Sequence, residues 1–119
     1  MRILIVQSNL KLAELWQTSL VASGADVTIA ATEFDAFGAL EEASFDVIIL
    51  DIVIQDRAAL GISDLACVLQ PDARLLFVTA SNFFSDGSIF LMYPNACAHL
   101  HCDTKPDDLT AVAEHYAAA

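Results

Sequence analysis

The chain has 119 residues, with 5 Lys and Arg against 16 Asp and Glu, a formal net charge of −11 and 56% hydrophobic residues. That length accommodates one domain, the apolar content excludes a disordered chain, and the acidity disfavours nucleic acid and anionic membrane surfaces as partners. The longest apolar runs, Val47 to Leu50 and Ile52 to Ile54, are far shorter than the roughly 18 residues of a membrane span. Cys67, Cys97 and Cys102 have no disulfide-framework spacing and the N-terminus MRILIVQSN has no secretory pattern, so a reducing cytoplasm is expected.

Arg2 to Gln7 (RILIVQ) is aliphatic without polar alternation, which predicts a parallel strand covered on both faces. Leu12, Leu15, Trp16, Leu20 and Ser23 recur at helical spacing and predict a helix over Leu10 to Ser23, stopped by Gly24. Ala25 to Ala30 is the next strand. Thr32 and Asp35 have capping-box spacing at the start of a helix over Phe34 to Ala43, with Phe34, Phe37 and Leu40 inward. Phe45 to Asp51 (FDVIILD) is a strand ending on a carboxylate, and Ala58 to Leu69 a helix stopped by Pro71. Arg74 to Thr79 (RLLFVT) is a buried strand ending on a hydroxyl. Asp86, Gly87 and Pro94 interrupt the aromatic-rich segment 80–95, which reads as a short or irregular helix. Ala98 to His101 is a weak strand, and Thr104 is expected to cap a last helix with Leu109, Val112, Ala113 and Tyr116 on one face.

Five strands alternating with five helices predict one α/β domain, a doubly wound parallel sheet with helices on both faces. Ligands of such sheets gather at the carboxyl ends of the strands, here Gln7 and Ser8, Asp51, Thr79 and the residues around Cys102. The acids Glu41, Glu42, Asp107 and Asp108 read as solvated helix faces and first-turn dipole partners. No G-x-S-x-G, G-x-G-x-x-G or Walker pattern is present, which argues against hydrolase and dinucleotide-binding functions.

The ILIV start at Ile3 to Val6, the IILD ending at Asp51, the FVTAS segment at Phe77 to Ser81 and the NACAHLHCD segment at Asn95 to Asp103 together resemble the receiver domains of bacterial two-component response regulators. The resemblance spans the chain and implies the flavodoxin-like receiver fold. It implies that Asp51 is the aspartate that accepts a phosphoryl group from a histidine kinase with the help of Mg²⁺, and that Thr79 is the hydroxyl that senses it. The family's acidic pair after the first strand is replaced by Gln7 and Ser8. Counting seven residues from Asn95-Ala96 places Cys102 where the family has a lysine, and the spacing of Leu109 agrees. Lys105-Pro106 looks like the family's Lys-Pro pair, but using it would shift the last helix by about three residues, almost one turn. Gln55 stands where a proline is usual and Ala59 where a glycine is common. His99 takes the position of an aromatic that switches rotamer, and Phe83, Phe84, Phe90 and Tyr93 fall around the fourth helix, a partner-docking surface in the family.

The expectation is a stand-alone receiver-like domain over residues 1–119 with no output domain, not an enzyme, working through a histidine kinase or another signalling protein. No cofactor is expected, since Asp51 alone would hold Mg²⁺ weakly. A homodimer is compatible with this reading; nucleic acid and membrane are not expected partners. A functional phosphoryl-accepting receiver in a phosphorelay is the alternative. A third reading is a metal- or redox-responsive module using Cys97, His99, His101 and Cys102, with Asp103 beside them. Residues 97, 99 and 101 would share a strand face, but neighbours on that face are about 7 Å apart, too far to converge easily on one ion.

Overall fold

The computed structural model describes residues 1–51, 53–54, 57–58, 60–79 and 96–118. Five strands, β1 (Arg2–Val6), β2 (Asp26–Ala30), β3 (Val47–Asp51), β6 (Arg74–Thr79) and β7 (Ala96–His101), form one sheet in the order β2-β1-β3-β6-β7. Every neighbouring pair is parallel. The helices among the described residues are α1 (Leu10–Ala22), α2 (Glu33–Glu42), α3 (Leu60–Leu69) and α4 (Pro106–Ala117). Between β3 and α3 a two-stranded antiparallel pair, β4 (Val53–Ile54) and β5 (Arg57–Ala58), stands apart from the main sheet. The fifth helix expected over 80–95 lies outside the described residues.

The aliphatic strands bury both faces. Leu4, Val6, Ile48, Leu50, Leu75 and Phe77 point to one side, where Ala36, Leu40, Ile62 and Ala66 of α2 and α3 complete a core. Ile3, Ile5, Val47, Ile49, Leu76 and Val78 point to the other, against Ala13, Trp16 and Leu20 of α1 and Leu109 and Ala113 of α4. Alternate residues thus serve separate cores, which is why the strands show no polar period.

Helix α1 starts at Asn9, whose Oδ1 accepts from Leu12 N at 3.2 Å, and is followed by Gly24 at φ +98°, where other residues are strained. Thr32 Oγ1 accepts from Asp35 N at 3.1 Å, as the capping-box spacing predicts. Phe34, expected inward, is 85% exposed, and Leu15, part of the helical repeat of α1, is 57% exposed. Each lies more than a quarter turn off the line set by the buried Ala13, Trp16 and Leu20 or Ala36 and Leu40. Helix α3 begins at Leu60 because Ala58 is committed to β5. The cap of α4 is Lys105, not Thr104, and it makes no side-chain cap hydrogen bond. Pro106 at the first turn explains the shift: its ring presets the helical φ and it has no N–H to satisfy.

Gln70 ties α2, α3 and β3 together. Its Nε2 donates to Leu40 O at 2.9 Å and Ala43 O at 2.6 Å, and its Oε1 accepts from Phe45 N at 2.8 Å. These are carbonyls that the end of α2 would otherwise leave unpaired.

Replacing Gly24 with Ala tests the backbone argument. No atom lies within 4 Å of the added methyl, so the cost is conformational alone, about 1–2 kcal/mol by urea denaturation; an unchanged midpoint would refute it.

Candidate functional site

The chain visits β1, then β2 on one side, then crosses to β3 on the other, so the order reverses between β1 and β3. Such a reversal opens a crevice at the carboxyl ends of the two strands. Val6 pairs with Leu50, and the next residue on each strand meets across this crevice. Gln7 Nε2 donates to Asp51 Oδ2 at 2.8 Å.

That contact is held from both ends. Gln7 is 2% exposed, its backbone N–H donates to Ala30 O at 3.1 Å, and its Oε1 accepts from Asn9 N at 3.0 Å. With Oε1 taken by a backbone donor, the amide has one orientation that satisfies both neighbours, and that orientation presents NH₂ to the carboxylate. Asn9 therefore serves twice, capping α1 with its side chain and orienting Gln7 with its backbone, a role its sequence position alone does not reveal. Ser8 is exposed, and Asp51 is half-buried at the end of β3.

Cys102 follows β7 and packs against the core on the α1 and α4 side, in line with Ala98 and Leu100. Burial, then the negative charges of Asp103 and Asp51, raise its thiol above the ordinary value. Asp51 is near enough for its charge to act on Cys102, while Lys105 is exposed at the start of α4. Thr79 closes β6 and pairs in register with His101.

The other sequence candidates divide. Cys97 donates from Sγ to Leu75 O at 3.3 Å beside the irregularity that shifts the β6–β7 register, and burial pushes its thiol up to about 11 despite the nearby Arg74. His99 is half-buried in register with Phe77, and its Nε2 is shielded without a hydrogen-bond partner among the described residues. His101 lies beside Cys102 and Asp103. The expected set of Cys97, His99, His101 and Cys102 is not brought together: among the described residues the cluster of metal-ligating side chains is His101, Cys102 and Asp103. The aromatics Phe83, Phe84, Phe90 and Tyr93 lie outside the described residues, as do Gln55 and Ala59. No helix among the described residues is long and apolar enough to cross a membrane.

No family model and no curated protein matches this sequence. Solved structures do. A CheY-like response regulator receiver domain protein from Methanospirillum hungatei is 24% identical with a TM-score of 0.88, covering 98% of this chain and 93% of that one. The response regulator TrrA from Thermotoga maritima, in complex with Mg²⁺-BeF, is 20% identical with a TM-score of 0.82, at 97% coverage of both chains. A response regulator from Burkholderia pseudomallei with a phosphorylated aspartic acid, a calcium ion and citrate is 21% identical with a TM-score of 0.84, over 98% of this chain and 68% of that one. The fold is the CheY-like receiver fold, and the order of the five strands places Gln7 and Asp51 at its central crevice.

The raised Cys102 thiol gives a test of the crevice geometry. Thiolate is the reactive form, so Asp51→Asn, by removing one neighbouring negative charge, speeds alkylation of Cys102 by a factor of a few at fixed mildly alkaline pH and leaves Cys97 unchanged. Peptide-resolved mass spectrometry reads both rates; equal Cys102 rates in the two proteins would separate it from Asp51.

Proposed function

We propose that this chain is a receiver-type signalling module in a two-component pathway, acting in the cytoplasm by engaging a histidine kinase or another signalling protein. In this reading Mg²⁺-dependent phosphoryl transfer to Asp51 is impaired or lost, and the module is a binding protein rather than an enzyme. The observation that carries it is the Gln7 amide donating to Asp51 from inside the crevice.

The donor set around Asp51 does not suit Mg²⁺. That ion requires near-octahedral oxygen coordination and is usually held through carboxylates. Gln7 faces Asp51 with a donor, its own oxygen is occupied by Asn9 N–H, and Ser8 is a neutral hydroxyl turned to solvent. A cation entering beside Asp51 would meet the positive end of an amide dipole. Cys102 supplies no positive charge in place of the lysine that the resemblance expects, so attack by a carboxylate on a phosphoryl group lacks the electrostatic stabilisation such a transition state requires. What remains is a carboxylate with an oriented hydrogen bond, a fixed surface for a partner to read.

Incubation with a small acyl phosphate donor and Mg²⁺, followed by intact-mass measurement, tests the reading. The native chain is expected to stay unmodified, whereas the combined variant Gln7→Asp, Ser8→Asp, Cys102→Lys gains one phosphoryl group that Asp51→Asn removes. A stoichiometric, base-labile phosphate on native Asp51 would overturn the proposal in favour of a working phosphorelay receiver.

A further inference from the structure

We propose that His101, Cys102 and Asp103 form a transition-metal site, best matched to Zn²⁺, at the turn that ends β7. One donor atom from each of the three residues lies within 4.8 Å of the others. His101 Nδ1 is 3.5 Å from Asp103 Oδ2, Cys102 Sγ is 3.9 Å from Asp103 Oδ1, and Cys102 Sγ is 4.0 Å from His101 Nδ1. With Zn–N and Zn–O distances near 2.0–2.2 Å and Zn–S near 2.3 Å, tetrahedral donors are separated by about 3.3–3.6 Å, whereas these donors lie within 4.8 Å of one another, so closing the cluster takes side-chain rotations that move donors by about 1 Å.

A turn makes this convergence accessible to consecutive residues. On an extended strand Cys102 would point away from its two neighbours, and those neighbours would be about 7 Å apart. Here Thr104 N donates to His101 O at 3.0 Å, closing a four-residue turn that folds the three side chains toward one point. In this turn the roughly 7 Å spacing of strand neighbours does not apply to the three residues.

The chemistry matches the geometry. One thiolate and one carboxylate balance the charge of a divalent ion, and a neutral imidazole completes a sulfur, nitrogen and oxygen set that favours Zn²⁺ over Mg²⁺ or Ca²⁺. Asp103 N donates to His101 Nδ1 at 3.1 Å, so in the metal-free chain this lone pair is held by a backbone N–H on the cluster side. Metal entry displaces this N–H, and water satisfies it, because Asp103 and His101 have 87% and 47% of their side-chain surface exposed. Three ligands leave the fourth tetrahedral position to water or to a group brought by a partner. The site rests on the geometry of the turn and not on the receiver reading, although the two share Cys102.

Competition between the full chain and a chromogenic chelator for Zn²⁺ tests the proposal, with Co²⁺ alone as a spectroscopic probe. One equivalent of Zn²⁺ is expected to bind, and Co²⁺ is expected to give thiolate charge-transfer absorption. Loss of an outer partner of a metal ligand already costs about 10- to 100-fold in affinity, so His101→Ala, Cys102→Ser and Asp103→Asn should each weaken binding at least about tenfold. Cys97→Ser should bind normally. Because His101 and Asp103 are exposed, their variants should keep the native circular dichroism and report on the metal alone. Absence of competition, retention of affinity in His101→Ala and Cys102→Ser, or loss of it in Cys97→Ser would overturn the site.

Discussion

A side-chain hydrogen bond, from the Gln7 amide to the Asp51 carboxylate at 2.8 Å, spans the ends of the two paired strands between which the sheet order reverses. Its geometry depends on much of the surrounding fold. Gln7 is anchored through its backbone to β2 and through its side chain to the start of α1, while Asp51 ends the central strand. The crevice that the fold creates is thus spanned by an amide donor at its first strand. Such a contact stabilises a negative carboxylate, and by facing it with a donor opposes the approach of a cation.

The charge distribution supports the same picture. The chain carries a net charge of −11, yet the two residues that follow β1 are neutral. Acids sit instead at helix starts such as Glu33 and Asp35 in α2 and Asp107 and Asp108 in α4, where the helix dipole favours them. Beyond β7 the arrangement differs again, because a short turn gathers imidazole, thiol and carboxylate within one ion's reach. On the two proposals, neighbouring regions of one strand-end surface have opposed preferences, one holding a carboxylate without a metal and the other attracting one.

Much of this fold was legible in residue order. RILIV, VIILD and RLLFVT announced strands buried on both faces, and each is found between two cores. Thr32 and Gly24 marked helix ends by rules that depend only on local geometry. Helix faces are less legible where apolar residues fall on more than one face: Leu15 is displaced from the stripe of Ala13, Trp16 and Leu20, and Phe34 from that of Ala36 and Leu40. The β4–β5 pair was missed because two-residue strands leave no periodicity to read. Gln70 was missed because its worth lies in backbone groups 25 to 30 residues away. At the site, the positions of Gln7, Asp51 and Cys102 followed from strand ends, but the direction of the Gln7 amide required Asn9, and the convergence of His101 with Asp103 required a turn.

The most direct measurement is an NMR titration with Mg²⁺ that follows the side-chain amide resonance of Gln7. If the amide holds Asp51 as described, the NH₂ signals stay hydrogen-bonded and show no saturable shift through millimolar Mg²⁺, while the Gln7→Asp, Ser8→Asp variant shows saturable backbone shifts at Asp51. A saturable displacement of the native Gln7 signals, with loss of their hydrogen-bonded character, would contradict the account at its centre.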